Sequence, residues 1–255
     1  ADKSLPFNFD EKFSLLAKPP YGLYGNYAAM GMVAFALRPW VNKIFDTQGK
    51  PRDAKALVDD ISMLFKVWDE NKSNSKLTFK FQTPEEGKLC KELINLFNLS
   101  GKDSAYKDVS SLKDARYAIT GDFLVRKGAP LWSIKYAPKS AFAALPAEIP
   151  ITDEIKTLVD DIVTICADRD LRNPALVNET LKLLEAWRID LKNILNIDAV
   201  FQEGFNSFLM QIDRIELKPE EIEDVKTYVK GHLESTVGYW TEEEITNAAK
   251  NWRLE

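Results

Sequence analysis

The sequence contains few of the residues that carry most enzymatic chemistry, with one histidine and two cysteines among 255 residues. A single histidine, His232, excludes a metal site built from several imidazoles. Two cysteines cannot form a disulfide framework, which favours a reducing, cytoplasmic location. No apolar run approaches the roughly 20 residues that span a bilayer, and the N-terminus has no signal-peptide pattern, so we expect no membrane partner.

The glycine-containing motifs of nucleotide-binding and hydrolase sites are missing as well. No G-x-S-x-G and no G-x-G-x-x-G occurs between a predicted strand and a predicted helix. Residues 100–103 resemble the end of a phosphate-binding loop, but Leu96 stands where that loop requires glycine, and Asp103 replaces the magnesium-holding Ser or Thr. We therefore predict no catalytic residue, no metal ligand and no cofactor in this chain.

The remaining reactive side chains have structural explanations. His232 lies at the edge of an apolar helical stripe, where histidine is most often a packing residue. Cys90 and Cys166 occupy apolar helix positions, which predicts buried, unreactive thiols. The pairs Asp59-Asp60 and Asp160-Asp161 are adjacent on predicted helices, so their carboxylates point about 100° apart and do not converge on one ion.

Charge is distributed unequally along the chain. Residues 1–139 contain 22 Lys and Arg against 16 Asp and Glu, whereas residues 140–255 contain 12 against 23. The sign changes at a weakly charged strip that holds three prolines between residues 137 and 150. This pattern predicts a basic domain over 1–139, a proline-rich linker over 140–152 and an acidic domain over 153–255.

The predicted fold class is mainly α. In the first half, Asn26 and Asp53 are N-cap candidates for helices reaching about Arg38 and Asp69, and Thr83-Pro84-Glu85-Glu86 is a capping box. The apolar, Ala- and Gly-rich run from Tyr27 to Leu37 is typical of a closely packed interior helix.

Two short segments of the first half alternate between polar and apolar residues, Lys76–Phe81 and Leu131–Tyr136. This alternation predicts two strands that pair on the helical cluster, in a shape resembling a winged helix. The second half shows helical periodicity alone. Its helices are expected to begin near Thr152, Asn173, residue 198, Pro219 and Thr241, and short loops between them predict an antiparallel bundle.

The last part of the first half, from Lys113 to Lys139, is a basic stretch that also contains aromatic residues. Its net charge is +4, and such a mixture suits contact with nucleic acid or with an acidic partner. The aromatic side chains are equally typical of a core, with lysines at its solvated rim. The predicted contact residues are Lys113, Arg116, Arg126, Lys127, Lys135 and Lys139.

The turn Lys18-Pro19-Pro20-Tyr21-Gly22-Leu23 is followed by an Ala-rich helix and then by a basic, strand-like segment. This order resembles accessory regions of large prokaryotic ATPases of bacteriophage-exclusion (BREX-like) systems, over residues 18–81 and through one turn motif. The resemblance implies an accessory or coupling role beside an ATPase whose phosphate-binding loop lies elsewhere. It transfers no catalytic residue.

Three functions are consistent with these features. The first is a non-enzymatic interaction segment of a larger cytoplasmic, ATPase-linked protein, which docks a protein partner, a neighbouring domain or nucleic acid. The Leu254-Glu255 end, which resembles a cloning remnant, and the start without Met agree with a piece of a longer protein. The second is a winged-helix-type nucleic-acid-binding module. The third is an enzyme that uses carboxylates and lysines between the two halves.

Overall fold

The computed structural model describes residues 7–41, 43–46, 51–69, 78–81, 83–99, 109, 111–143, 151–167, 173–213 and 215–254. The protein is mainly helical, as the sequence predicts. It forms two compact units. Unit 1 comprises residues 1–87 and 111–113, and unit 2 comprises residues 88–110 and 114–255.

The described residues of unit 1 form three α-helices and a small sheet. Both strand pairs of the sheet are antiparallel, with Phe7 opposite Phe79 and Ile44 opposite Phe81, so the third strand in sequence lies at the centre. The elements are β1 (Phe7–Asn8), α1 (Phe9–Ala17), α2 (Tyr27–Leu37), β2 (Ile44–Asp46), α3 (Ala54–Asp69) and β3 (Thr78–Phe81). A short 3-10 helix, Arg38–Trp40, follows α2 directly.

The core of unit 1 forms where α1, α2 and α3 meet the sheet. The rings of Phe13 and Phe65 pack edge to face with centroids 5.0 Å apart. Helices α2 and α3 begin where predicted, because the Asn26 side chain accepts from the Ala29 N–H at 2.8 Å and Asp53 accepts from the Ala56 N–H at 2.7 Å. The buried core residues are Phe13, Ala29, Val33, Ile44, Leu57, Ile61, Leu64, Phe65 and Phe79.

Unit 2 holds the remaining helices, including α8, the longest helix of the described residues. The chain passes into it within α4 (Pro84–Leu96), which begins at the predicted capping box: Glu86 N–H donates to Thr83 Oγ1 and Thr83 N–H donates to Glu86 Oε2. The other helices are α5 (Leu112–Ala118), a π-helical turn (Ile119–Phe123), α6 (Leu124–Lys127), α7 (Asp153–Ala167), α8 (Pro174–Leu195), α9 (Asp198–Met210), α10 (Ile222–His232) and α11 (Glu242–Leu254), with 3-10 helices at Leu131–Tyr136, Lys139–Phe142, Pro219–Glu221 and Val237–Tyr239.

The helix starts of the second half agree with the sequence. Thr152 Oγ1 accepts from the Ile155 N–H, Asn173 Oδ1 accepts from the Ala175 N–H, and Thr241 exchanges hydrogen bonds with Glu244. The described residues between 153 and 254 form helices and no strand. Their arrangement as an antiparallel bundle stays a prediction, as does the winged-helix likeness of the first half.

The prediction of a strand at Leu131–Tyr136 is wrong. This segment is a 3-10 helix in unit 2, and β3 pairs with β1 and β2 instead. The reason is burial on every side: the four consecutive side chains from Leu131 to Ile134 are all buried, whereas a strand on a helical cluster would bury alternate ones. Pro130 and Pro138 flank the segment in extended conformations and confine it to a short turn-like element.

The compact units are divided elsewhere than the predicted domains. Residues 114–143 belong to the same unit as residues 151–254, because the 3-10 helix Leu131–Tyr136 packs on α7 and α9. Ser133 Oγ donates to the Phe201 carbonyl, and the backbone of Ser133 lies directly against Gly204 of α9. The proline-rich strip therefore follows a segment that is already part of the second core, and most of the strip, residues 144–150, lies outside the described residues.

Candidate functional site

Two of the predicted contact residues, Lys127 and Lys135, form ion pairs with carboxylates of the acidic second half. Lys127 Nζ lies 2.5 Å from Asp198 Oδ1 and over the rings of Phe123 and Phe201. Lys135 Nζ donates to Asp160 Oδ1 at 2.7 Å and lies 2.9 Å from Glu242 Oε1. The opposite charges of the two sequence halves thus meet inside unit 2, where they hold its elements together.

The other four predicted contact residues differ in how far they are buried. Arg126 is exposed and donates to Asp122 one turn earlier at 3.1 Å, and Lys139 is exposed. Arg116 is buried, and Lys113 is half-buried and belongs to unit 1. The structure does not gather the six cations on one open surface of the described residues, and their contact with nucleic acid or a partner stays a prediction.

The aromatic residues of the same stretch serve mainly as core. Trp132 is buried, donates from Nε1 to the Trp240 carbonyl at 2.6 Å, and packs edge to face with Phe208 at a centroid distance of 4.7 Å. Phe123 is buried as well, and Tyr117 is partly exposed. A base cannot stack on a ring that is already enclosed by other rings.

Lys135 is also the centre of a carboxylate and lysine cluster of the kind that an enzyme site would need. The hydroxyl of Tyr136 donates to Glu242 Oε2 at 3.0 Å, next to the Lys135 ion pairs. Burial favours the neutral amine of Lys135, but hydrogen bonds and charge from Asp160 and Glu242 together outweigh it and raise its pKa. Burial and Glu242 likewise raise the pKa of Tyr136. The Lys135 ammonium stays charged and paired with the carboxylates of Asp160 and Glu242, which is the arrangement of a structural ion-pair cluster.

The single histidine lies on the surface. His232, the last residue of α10, is exposed; its ring stacks on Tyr228 with centroids 3.7 Å apart, and its Nδ1 lies 2.8 Å from the Tyr228 carbonyl oxygen. Both cysteines are buried, as predicted. Burial raises the pKa of the Cys90 thiol to about 11 and that of Cys166 to about 12, so both thiols are protonated and unreactive near neutral pH.

In each aspartate pair, the two carboxylates have different environments. Asp60 is buried and accepts two hydrogen bonds of 2.7 Å from the Arg52 guanidinium, while Asp59 is exposed. Asp160 binds Lys135, and Asp161 accepts from the Thr180 hydroxyl. Among the described residues, no three His, Cys, Asp or Glu side chains come together as metal ligands.

A shallow cleft lies between α4 and α8 in unit 2. Its charged side chains neutralise one another, with Lys88 Nζ 2.6 Å from Glu185 and Arg188 3.0 Å from Glu92. The cleft measures about 120 Å³, which is below the roughly 300 Å³ at which small-molecule sites begin. Its charged walls are paired and its volume is small, so it does not fit a substrate site.

The most unusual surface of the described residues is the outer face of α2 in unit 1. The helix has no charged side chain over its eleven residues, yet only Ala29 and Val33 are buried. On the opposite side, the exposed fraction is 90% for Tyr27, 57% for Met32 and 74% for Phe35. An apolar helix that is exposed on one side is a mark of an interaction surface.

Further exposed aromatic residues lie before and after α2 in the chain. Tyr21 and Tyr24 lie in the segment before the helix, in a turn closed by the Leu23 N–H donating to the Leu16 carbonyl, and Trp40 follows the helix. Lys18 and Arg38 are exposed nearby in sequence. We name the α2 face by the exposed helix residues Tyr27, Ala28, Gly31, Met32 and Phe35.

The sequence shows that α2 is apolar, but not that one of its sides is exposed. An uncharged run with many small residues predicts a helix enclosed on all sides, whereas the structure encloses α2 on one side, where Ala29 and Val33 join the core of unit 1. The composition of α2 is that of a buried helix, and only the fold shows that Tyr27, Met32 and Phe35 are exposed. None of the described helices has the length and apolar character needed to cross a membrane.

Comparisons of the chain with protein-family models, with curated proteins and with solved structures give no significant match. Its function must therefore be inferred from the surfaces and contacts described above.

Proposed function

We propose that this chain is a non-enzymatic interaction segment and that the α2 face of unit 1 docks a protein partner. The observation that carries the proposal is the exposure of Tyr27, Met32 and Phe35 on a helix without charge. Scattered apolar residues are normal on a protein surface, but a contiguous set on one helix is not. Aromatic residues and Met are also the types enriched at protein–protein interfaces, where charge is depleted.

The exposed area of the α2 side chains indicates how large such an interface could be. Tyr27, Met32 and Phe35 on α2 are between 57% and 90% exposed. At about 200 Å² for a large side chain, they leave roughly 400 Å² of surface open to burial. A standard protein–protein interface removes about 800 Å² from each partner, so these three side chains would supply about half of one side.

A role in a larger ATPase-linked assembly, as the resemblance of residues 18–81 implies, is part of the same proposal. The turn that carries this resemblance precedes α2 by a few residues, and its Tyr21 is exposed. An accessory segment would use such a face to join the assembly.

Site-specific photo-crosslinking tests the proposal. Benzoylphenylalanine replaces Phe35 in the full-length protein in its own cells, and adducts are identified by mass spectrometry. The matched control is position 189 on α8, where Ile189 is 70% exposed, close to the 74% of Phe35. We expect one discrete protein adduct from position 35 and none from position 189. Equal adducts from both positions, or none from position 35, would remove the proposal.

The winged-helix alternative needs cations on the helix that enters a groove, because phosphate contacts position the protein. The eleven residues of α2 supply none, although Arg38 follows the helix directly; α3, the other helix that could enter a groove, carries the exposed Lys55 and Lys66. A gel-shift titration with duplex and single-stranded DNA tests this alternative. Binding whose affinity falls steeply with salt, and that Arg38→Gln weakens, would favour it over protein docking.

A further inference from the structure

Helices α4 and α8 of unit 2 run side by side in the same direction, and two ion pairs mark their register. Lys88 binds Glu185, and one turn later Glu92 binds Arg188. The α8 partner follows the α4 residue by 97 positions in the first pair and by 96 in the second. The two helices therefore advance together, and each further turn brings a new pair of positions opposite each other.

The next step of this register has a cation and no carboxylate. Asn95 follows Glu92 on α4 and Lys192 follows Arg188 on α8, and both line a groove of about 380 Å³ between the two helices. Among the described residues, Lys192 forms no ion pair. Asp190 lies about 160° around α8 from both Arg188 and Lys192, because each residue turns a helix by 100°. The ladder of ion pairs is therefore incomplete at its last step.

Arg188 and Lys192 are two like charges one turn apart on α8. Such a pair destabilises a helix slightly, and Glu92 compensates Arg188 alone. The guanidinium donates to Glu92 through Nη1 and has five N–H groups in all. An anion between the two cations would remove their repulsion and accept charge-assisted hydrogen bonds from both. The groove therefore favours a negatively charged ligand.

The size and the other walls of the groove favour a ligand larger than a bare ion. Its volume of about 380 Å³ exceeds the roughly 300 Å³ at which small-molecule sites begin. The side-chain amides of Asn95 and Asn193 each offer hydrogen-bond donors and an acceptor. Ile189, which is 70% exposed, adds an apolar contact.

We infer that this groove binds a phosphate monoester of about the size of a mononucleotide. Its phosphate lies between Arg188 and Lys192, and its organic part lies against Ile189 and the two amides. A phosphate monoester carries nearly two negative charges and three terminal oxygens, so it meets both cations at once, which a single carboxylate does less well. The inference is independent of the docking function, because the α2 face belongs to unit 1 and the groove to unit 2.

Two features of the groove limit its affinity. Helix α4 ends at Leu96 and α8 ends at Leu195, so the negative ends of both helix dipoles lie near the groove and oppose an anion. Solvent and salt also screen the exposed Lys192. We therefore expect a dissociation constant on the order of 1 mM that rises with ionic strength.

Titration of the isotope-labelled full chain with AMP, followed by amide-detected NMR, tests the inference. The side-chain amide signals of Asn95 and Asn193 should shift and saturate together, and the single variants Asn95→Asp and Asn193→Asp assign them. Adenosine lacks the phosphate and inorganic phosphate lacks the organic part. Each should bind at least about tenfold more weakly than AMP, since each loses one of the two sets of contacts.

The sharpest variant is Asn95→Asp, because it completes the ion-pair ladder. The new carboxylate pairs with Lys192 and repels the phosphate, so AMP affinity, measured at the Asn193 signal, should fall at least about tenfold while far-UV circular dichroism is unchanged. Lys192→Met should weaken binding about two- to fivefold. Lys230→Met is the matched control, since it removes one exposed lysine from α10, outside the groove, and should leave the affinity unchanged.

Several results would overturn the inference. One is the absence of any shift at Asn95 and Asn193 at about 10 mM AMP, ten times the expected dissociation constant. Another is equal binding of adenosine or of inorganic phosphate, which would remove the role of the phosphate or of the organic part. Full affinity in the Asn95→Asp chain, or an equal loss in the Lys192→Met and Lys230→Met chains, would show that AMP binds elsewhere or by net charge alone.

Discussion

Replacing Gly204 by alanine should destabilise unit 2, although alanine is the better helix former. Gly204 lies within α9, where a Cβ would be 3.0 Å from the carbonyl carbon of Ser133, 3.3 Å from the Ala137 nitrogen, and closer still to the Ser133 oxygen. All three are backbone atoms of the segment that ends the 3-10 helix Leu131–Tyr136. A flexible side chain cannot relieve this overlap, so the segment must move away from α9.

The magnitude follows from two opposing terms. Overpacking of a well-filled core costs about 1 to 3 kcal/mol and occasionally more, and a backbone collision belongs at the upper end. The higher helix propensity of alanine returns up to about 1 kcal/mol. We expect a net loss of about 2 kcal/mol in the free energy of unfolding, which lowers Tm by about 4 to 8 °C for a unit of this size.

Urea unfolding followed by tryptophan fluorescence and circular dichroism measures the effect, because Trp132 is buried in the segment that must move. Gly231→Ala is the matched control. It changes an exposed glycine in α10 whose Cβ would meet nothing within 4 Å, and it should stabilise by about 0.5 to 1 kcal/mol. If Gly204→Ala proved as stable as the unsubstituted chain, the close contact between α9 and the 3-10 helix would be refuted.

Three further outcomes are expected. Lys135→Met should lower stability by about 0.5 to 1 kcal/mol, since Asp160 and Glu242 lose their shared cation but are exposed enough for water to hydrate them. The pKa of Lys135 is raised in the fold, so its contribution is complete below about pH 10.5 and is lost above it; urea titrations of both chains from pH 8 to 11 should show their difference shrinking only at the alkaline end. Trp132→Phe should cost about 1 to 2 kcal/mol by leaving the Trp240 carbonyl without its 2.6 Å hydrogen bond, and thermal unfolding reports it. Cys90 and Cys166 should react with a thiol reagent at pH 8 only as fast as the protein opens, and rapid labelling of native protein would contradict their raised pKa values.

Local signals in the sequence predicted the helices well. Asn26, Asp53, Thr83, Thr152 and Asn173 each accept the backbone hydrogen bond expected of an N-cap. These interactions span two or three residues, so the sequence contains all the participants. The strand at Thr78–Phe81 was predicted for the same reason, since its alternation is local.

Features that depend on distant partners were not predictable. Leu131–Tyr136 alternates like a strand, but its conformation is decided by α9, more than 60 residues later, against which its backbone packs at Gly204. The strands that pair with β3 contain two and three residues, which is too short for a periodic signal. The α2 face was missed for a related reason, because composition shows that a helix is apolar and cannot show which of its sides remains open.

The charge asymmetry and the α2 face lead to opposite expectations about what drives association. The sequence suggests that the basic half attracts an anionic partner, but Lys127 and Lys135 already bind Asp198, Asp160 and Glu242 inside unit 2. Unit 1 presents an apolar helix face, the α2 face, on its surface. Contacts with phosphates weaken steeply as salt rises, because counterions are no longer released favourably. Burial of apolar surface is strengthened by salts such as sulfate, which are excluded from the protein surface. Association that persists or tightens in sulfate would therefore identify the α2 face, rather than the basic stretch, as the surface through which this chain acts.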